Sequence, residues 1–190
     1  LIRAALGNHE CSRGSAAAAI DRFRLPQNGW YSYALGAWHV VVLNSSCSEV
    51  GGCGRGSAQW RWLRADLAAH PNRCTLAYWH PPRFSSGAHG SDTAYAPFWE
   101  LLAQAKADVV LQGHDHHYER FAPLRGIRSF VVGTGGKGLY PTLWPHPGSV
   151  VRNSSTYGVL RLTLRSTGYG WRFLPAPGST FTDAGSASCR

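Results

Sequence analysis

The chain of 190 residues contains no methionine, only two lysines and no long hydrophobic run. Each scarcity excludes something. The longest apolar stretches, such as 40–43 and 109–111, fall far short of the roughly 18 to 20 residues that cross a bilayer, so no membrane partner is expected. A chain carrying its own start residue would hold a methionine, so Leu1 is expected to be an internal position of a longer protein. With lysine confined to Lys106 and Lys137, the net charge of +9 is almost entirely arginine. Those arginines are scattered from Arg3 to Arg190 and form no stripe that tracks a phosphate backbone, so no nucleic-acid partner is expected. A positive field of this kind draws in small anions.

The hydrophobic share of 44% is that of a soluble globular domain, and the length suits a single one. The five cysteines are an odd count. Cys47 and Cys53 lie in the polar, glycine-bearing stretch "SSCSEVGGCG", which closes readily into a disulfide, and their spacing does not match a zinc ribbon. Cys74 opens an apolar strand and is expected to be a buried thiol. Cys189 is expected to pair outside this segment. An oxidising, extracytoplasmic location follows. "NSS" at Asn44 and again at Asn153 matches the glycosylation acceptor pattern.

Stretches rich in Val, Leu and aromatics, bounded by Gly, Pro or Asn, predict strands at 38–44, 75–79, 109–112, 129–133, 158–164 and 170–174. "SAQWRWLRADLAAH" predicts a helix with Ser57 as N-cap and Trp60, Leu63 and Leu67 on one face. "YAPFWELLAQAKA" predicts another, with Phe98, Leu101, Leu102 and Ala105 inward. Alternating strands and helices indicate a layered α/β fold. After Phe121, strands joined by Gly- and Pro-rich turns are expected to add antiparallel neighbours to the same sheets, with no linker dividing the chain.

Polar clusters fall where strands should end: Asn8, His9 and Glu10 in "ALGNHEC", His80 in "LAYWHPP", and His114, Asp115, His116 and His117 in "LQGHDHH". Ligands of layered α/β proteins bind at the carboxyl ends of strands, so these separated clusters are expected to converge. Neutral imidazoles with an amide oxygen suit zinc, iron or manganese and suit calcium poorly. His114 and His116, two apart in an extended segment, would face the same way. The remaining histidines have plainer readings. His39, His70 and His146 are structural, His89 lies on a solvated loop, and His117 is an exposed rim residue without a role. Tyr118 and Phe121 are expected to pack beneath the metal loop.

"GNHE" at 7–10, the histidine of "YWHPP" and "GHDH" at 113–116, in that order, resemble the calcineurin-like metallophosphoesterases, and within them the purple acid phosphatase type. "WHVVVLNSS", "QWRWLRADL" and "FVVGTGG" extend the resemblance over most of the chain. It implies a layered αββα sandwich, incomplete at the N-terminus, with residues 1–190 forming the C-terminal part of a single catalytic domain. It also implies two divalent or trivalent metal ions, iron, zinc or manganese, acting on a small phosphate ester. Asn8, His80 and His114 would hold one ion and His116 the other. His9 would face the phosphate and protonate the leaving alcohol, with Glu10 orienting it.

The family's two earlier aspartate motifs are absent from this sequence. The resemblance therefore implies that the bridging carboxylate lies before Leu1, and that the isolated chain is inactive and marginally stable. The implied reaction is phosphomonoester hydrolysis. Phosphodiester or nucleotide hydrolysis on the same metals, and a non-catalytic metal- or phosphate-binding remnant, are the alternatives.

Overall fold

A computed structural model describes residues 2–11, 16–71 and 74–190. Two short helices come first, α1 (Asn8–Cys11) and α2 (Ala17–Phe23), followed by β1 (Tyr31–Leu35) and β2 (Trp38–Val42). The helix α3 (Ala58–Ala69), strand β3 (Cys74–Tyr78), helix α4 (Ala96–Gln104) and strand β4 (Val109–Gln112) continue the alternation. Six strands complete the chain: β5 (Tyr118–Phe121), β6 (Arg128–Val132), β7 (Ser149–Asn153), β8 (Gly158–Arg165), β9 (Gly168–Pro175) and β10 (Ala184–Ser188).

Seven strands form one mixed sheet in the order β1-β2-β3-β4-β6-β5-β7. Its centre, β2, β3, β4 and β6, is parallel, while β1, β5 and β7 pair antiparallel to their neighbours. The last three strands do not join that sheet as expected; they form a separate antiparallel sheet in the order β10-β9-β8. Every residue of β2 is buried, as in a strand covered on both faces. On one face Val41, Ala77 and Val110 pack with Leu63 and Leu67 of α3 and Phe98 and Leu102 of α4. On the other, Val40, Leu76 and Val109 meet Tyr169, Trp171 and Phe173 of the second sheet.

Helices, mixed sheet and small sheet thus make three layers of an α/β sandwich. The outer face of β8, with Val159, Arg161, Thr163 and Arg165, is exposed, so the fourth, outer helical layer is not built by the described residues. No helix among those residues is long and apolar enough to cross a membrane.

Local chemistry explains both long helices. The side chain of Ser57 accepts a hydrogen bond from Trp60 N at 3.2 Å, capping α3. Gln59, inside that helix, clamps the chain after β2 through two 2.8 Å bonds to the backbone of Asn44. In α4 the inward face is Phe98, Trp99, Leu101 and Leu102. Ala105 is exposed instead, because the helix has already ended at Gln104.

Cys47 and Cys53 form the expected disulfide. Cys74 is not a free thiol and Cys189 does not pair elsewhere: the two are bonded to each other across 115 residues. Their link ties the start of β3 to the end of β10, a proximity that only the stacking of the two sheets creates. Cys11 is left as the free cysteine. Asn44 is 3% exposed, with its Nδ2 donating to Asn28 O, so in the folded chain it is buried rather than an accessible glycosylation acceptor.

Candidate metal centre

The carboxyl ends of β3 and β4 lie side by side, with Tyr78 paired to Leu111. Each strand then releases a histidine, His80 and His114. Asn8 arrives from the other side at the start of α1, carried by an irregular stretch and not by the strand the sequence predicts. Two tyrosine hydroxyls hold that stretch: Tyr31 donates to Ala4 O and Tyr78 to Arg3 O, each at 2.9 Å.

The three donors meet. His80 Nε2 lies 2.8 Å from Asn8 Oδ1 and 3.1 Å from His114 Nδ1. Ligands bonded at about 2.1 Å to one ion and set at right angles are about 3.0 Å apart, so these separations would suit donors around a common cation. Burial, then the nearby His114, pushes the His80 pKa down to about 4. Burial, then His89, lowers that of His114. Both imidazoles are therefore neutral near pH 7, with lone pairs available to a metal. An amide oxygen and neutral imidazoles fit zinc, iron or manganese.

The backbone is shaped for this convergence. His114 has φ of +66°, an unusual conformation for a residue with a side chain, held by the closely hydrogen-bonded loop that follows. Asp115 N donates to Gly113 O and His117 N to Asp115 O, each at 2.8 Å, so the segment is a folded loop and not extended. His116 nonetheless opens onto the same cavity as His114. Its Nδ1 lies 2.9 Å from Gly138 O, which leaves Nε2 as the ring nitrogen available to a metal. A Cβ on Gly133 would sit 1.9 Å from Asp115 O, so only glycine lets β6 end against this loop.

Asn8, His9, His80, His114 and His116 all line one cavity of about 450 Å³, with His89 and Lys137 at its wall. The carboxylate of Glu10, expected beside His9, accepts a hydrogen bond from Gly7 N at 2.8 Å and so fixes the turn that presents Asn8 and His9.

One histidine departs from its sequence reading, and a second has partners the sequence did not show. His117 is fully buried, its Nε2 3.0 Å from Glu119 Oε2. Residues two apart near the start of a strand share a face, and here that face points inward. His89 is exposed on its loop, as expected, but it is tethered there. Its amide and its Nδ1 lie 3.1 and 2.7 Å from Asp115 Oδ1, and its ring stands 4.3 Å from that of His114. Asp115, fully buried, also accepts hydrogen bonds from Ser85 and Tyr140. Burial alone would raise its pKa; the bonds from Ser85 and His89 outweigh that and hold it low. The acid inside "GHDH" was the available sequence signal, since a carboxylate buried between two histidines needs donors from another loop.

Among curated proteins, purple acid phosphatase 15 of Arabidopsis thaliana is 32% identical over 131 residues, covering 60% of this chain and 24% of its own length. The uncharacterized protein Rv2577 of Mycobacterium tuberculosis is 33% identical over 149 residues, covering 64% of this chain and 28% of its own. The chain thus spans about a quarter of the length of the curated relatives it matches. A purple acid phosphatase, PPD1 from yellow lupin, shares the fold with a TM-score of 0.74 at 18% identity, covering 85% of this chain and 33% of that one. A model of the calcineurin-like phosphoesterase family matches residues 2–118, the part that carries Asn8, His80, His114 and His116, and the chain belongs to that family.

Proposed function

We propose that these residues hold the metals of a phosphomonoesterase of the acid phosphatase type. The observation that carries the reading is the meeting of Asn8 Oδ1, His80 Nε2 and His114 Nδ1 within 2.8 and 3.1 Å at one end of the parallel strands. In this reading Asn8, His80 and His114 bind one ion and His116 the second. Paired ions neutralise phosphoryl oxygens and lower the pKa of water for in-line attack.

The chain's own residues do the rest. Asn8 supplies a ligand without adding negative charge beside an anionic substrate. His9, at the cavity wall, protonates the leaving alcohol, while Glu10 locks the turn from which His9 projects. His89, oriented by Asp115, presents its ring to the same space and stabilises the phosphoryl group. Residues 1–190 act as the C-terminal part of one catalytic domain, because a second ion held by His116 needs carboxylates from elsewhere in that domain. Two disulfides support an extracytoplasmic location.

Metal titration followed by an activity assay tests the reading. Zinc or manganese is expected to bind the chain, and His114→Ala is expected to lose the share of that binding held by the cavity. With the family's aspartate motifs supplied on a longer chain, an aryl phosphate monoester is expected to be hydrolysed faster than a diester. Preference for the diester would move the assignment to phosphodiester hydrolysis. Undiminished metal binding in His114→Ala, or no hydrolysis by the longer chain, would reject it.

A further inference from the structure

A second group of ligand-type side chains lies at the end of the mixed sheet remote from the cavity. His39 is the second residue of β2, Asp66 lies in α3, and His70 caps that helix. Because β2 and β3 are parallel, Trp38 and Cys74 mark the end opposite His80. One ligand atom from each of His39, Asp66 and His70 lies within 4.8 Å of the others. His39 Nε2 is 2.9 Å from Asp66 Oδ2, and His70 Nδ1 is 3.3 Å from Asp66 Oδ1.

The pairing of His39 with Asp66 accounts for only part of this arrangement. His39 is 2% exposed, and while its Nε2 faces Asp66 Oδ2 its Nδ1 makes no hydrogen bond. A buried polar atom left so is costly. A shared cation suits the same spacing: bonds of about 2.05 Å at a tetrahedral angle place ligand atoms about 3.3 Å apart, against the 2.9 and 3.3 Å found here.

The third donor is within reach. Asp66 and His70 are four apart and so share one face of the helix. Three atoms no more than 4.8 Å apart lie within about 2.8 Å of a common centre, so closure by less than about 1 Å gives bonding distances. The His70 side chain is 50% exposed, which gives a cation access and leaves a position for water. Ser32 Oγ donates to Asp66 Oδ1 at 2.7 Å and steers the carboxylate. Ligation turns the His70 ring out of its stack on His39, where the ring centroids are 4.7 Å apart, and away from the Asp66 carbonyl.

We propose that His39, Asp66 and His70 form a binding site for zinc or a cation of similar ligand preference, separate from the phosphoesterase cavity, which pins the C-terminal end of α3 to the β1–β2 hairpin. Two imidazoles and a carboxylate are a ligand set that zinc accepts.

Zinc calorimetry on the chain carrying His114→Ala and His116→Ala, which silences the cavity, isolates this site. One equivalent is expected to bind. Adding His70→Ala is expected to weaken that binding about tenfold or more, with the metal-free melting temperature unchanged, since His70 is half-exposed. Should the cavity variants misfold, zinc titration of the unaltered protein, followed through the ring resonances of His39 and His70, decides the question. Absence of zinc binding in the folded background, equal binding after His70→Ala, or unmoved His39 and His70 resonances would overturn the proposal.

Discussion

His89 and Asp115 are joined twice through a single carboxylate oxygen, the amide at 3.1 Å and the ring Nδ1 at 2.7 Å. Through that pairing the loop after β3 is fastened to the loop after β4, and a histidine is aimed across the cavity. Asp115→Ala removes the acceptor and leaves the Ser85 hydroxyl and the His89 amide without it. A loss of about 3 kcal/mol is expected in urea denaturation. Limited proteolysis should show new cleavage between residues 84 and 92, and an unchanged digestion pattern would contradict this fastening.

Metal affinity should follow the convergence at His80. Zinc at about one hundred times its Kd stabilises a protein that binds it only when folded by about 2.7 kcal/mol. That increment is expected in His70→Ala, where the cavity alone takes zinc, and absent once His80→Ala is added, read as the zinc-dependent change in melting temperature. A variant that keeps the full increment would show that Asn8 and His114 hold the ion without His80.

The disulfides should differ in weight. Closing a loop of about one hundred residues restricts the unfolded chain by about 4.7 kcal/mol, against about 2 kcal/mol for six residues. Replacing Cys74 and Cys189 by alanine is therefore expected to cost about twice as much as replacing Cys47 and Cys53, whose separation is 6 against 115. Thermal unfolding of the two double variants makes the comparison directly.

Acid sensitivity is expected at Asp183, whose carboxylate accepts hydrogen bonds from Tyr118 OH at 2.7 Å and Arg120 Nε at 2.6 Å. Burial pushes its pKa up, but the bonds from Arg120 and Tyr118 outweigh burial, and the net shift is below the ordinary 3.8. A depressed carboxylate contributes stability that is present above its unfolded pKa and lost as pH falls through its folded pKa. Chemical denaturation from pH 7 to pH 2 is expected to show a smaller loss below pH 3.8 in Asp183→Asn than in the parent. Parallel curves would place the acid sensitivity in other carboxylates.

Strands with apolar composition were readable from the sequence: β4 runs over 109–112 as predicted, and β8 over Gly158–Arg165 against a predicted 158–164. Two of those that escaped carry no such signal. β10 is "AGSAS", held only by its pairing to β9, and β5 is "YERF", whose Glu119 and Arg120 read as loop until Ser86 and Asp183 supply their partners. The same limit applied to the histidines. A motif pointed to His80, His114 and His116, whereas His89 and His117 became legible only once Asp115 and Glu119 were seen beside them.

The sequence by itself determined the chemistry available at each strand end, because the residue types, the glycines and the turns that release them are written in a few consecutive positions. Only the tertiary structure decided which of those ends meet. The approach of Asn8 to His80 across 72 residues, of His80 to His114 across 34 and of Cys74 to Cys189 depends on how the layers stack. So does the inward turn of His117. Layer stacking minimises exposed apolar surface over the whole chain at once, and no local stretch carries that sum.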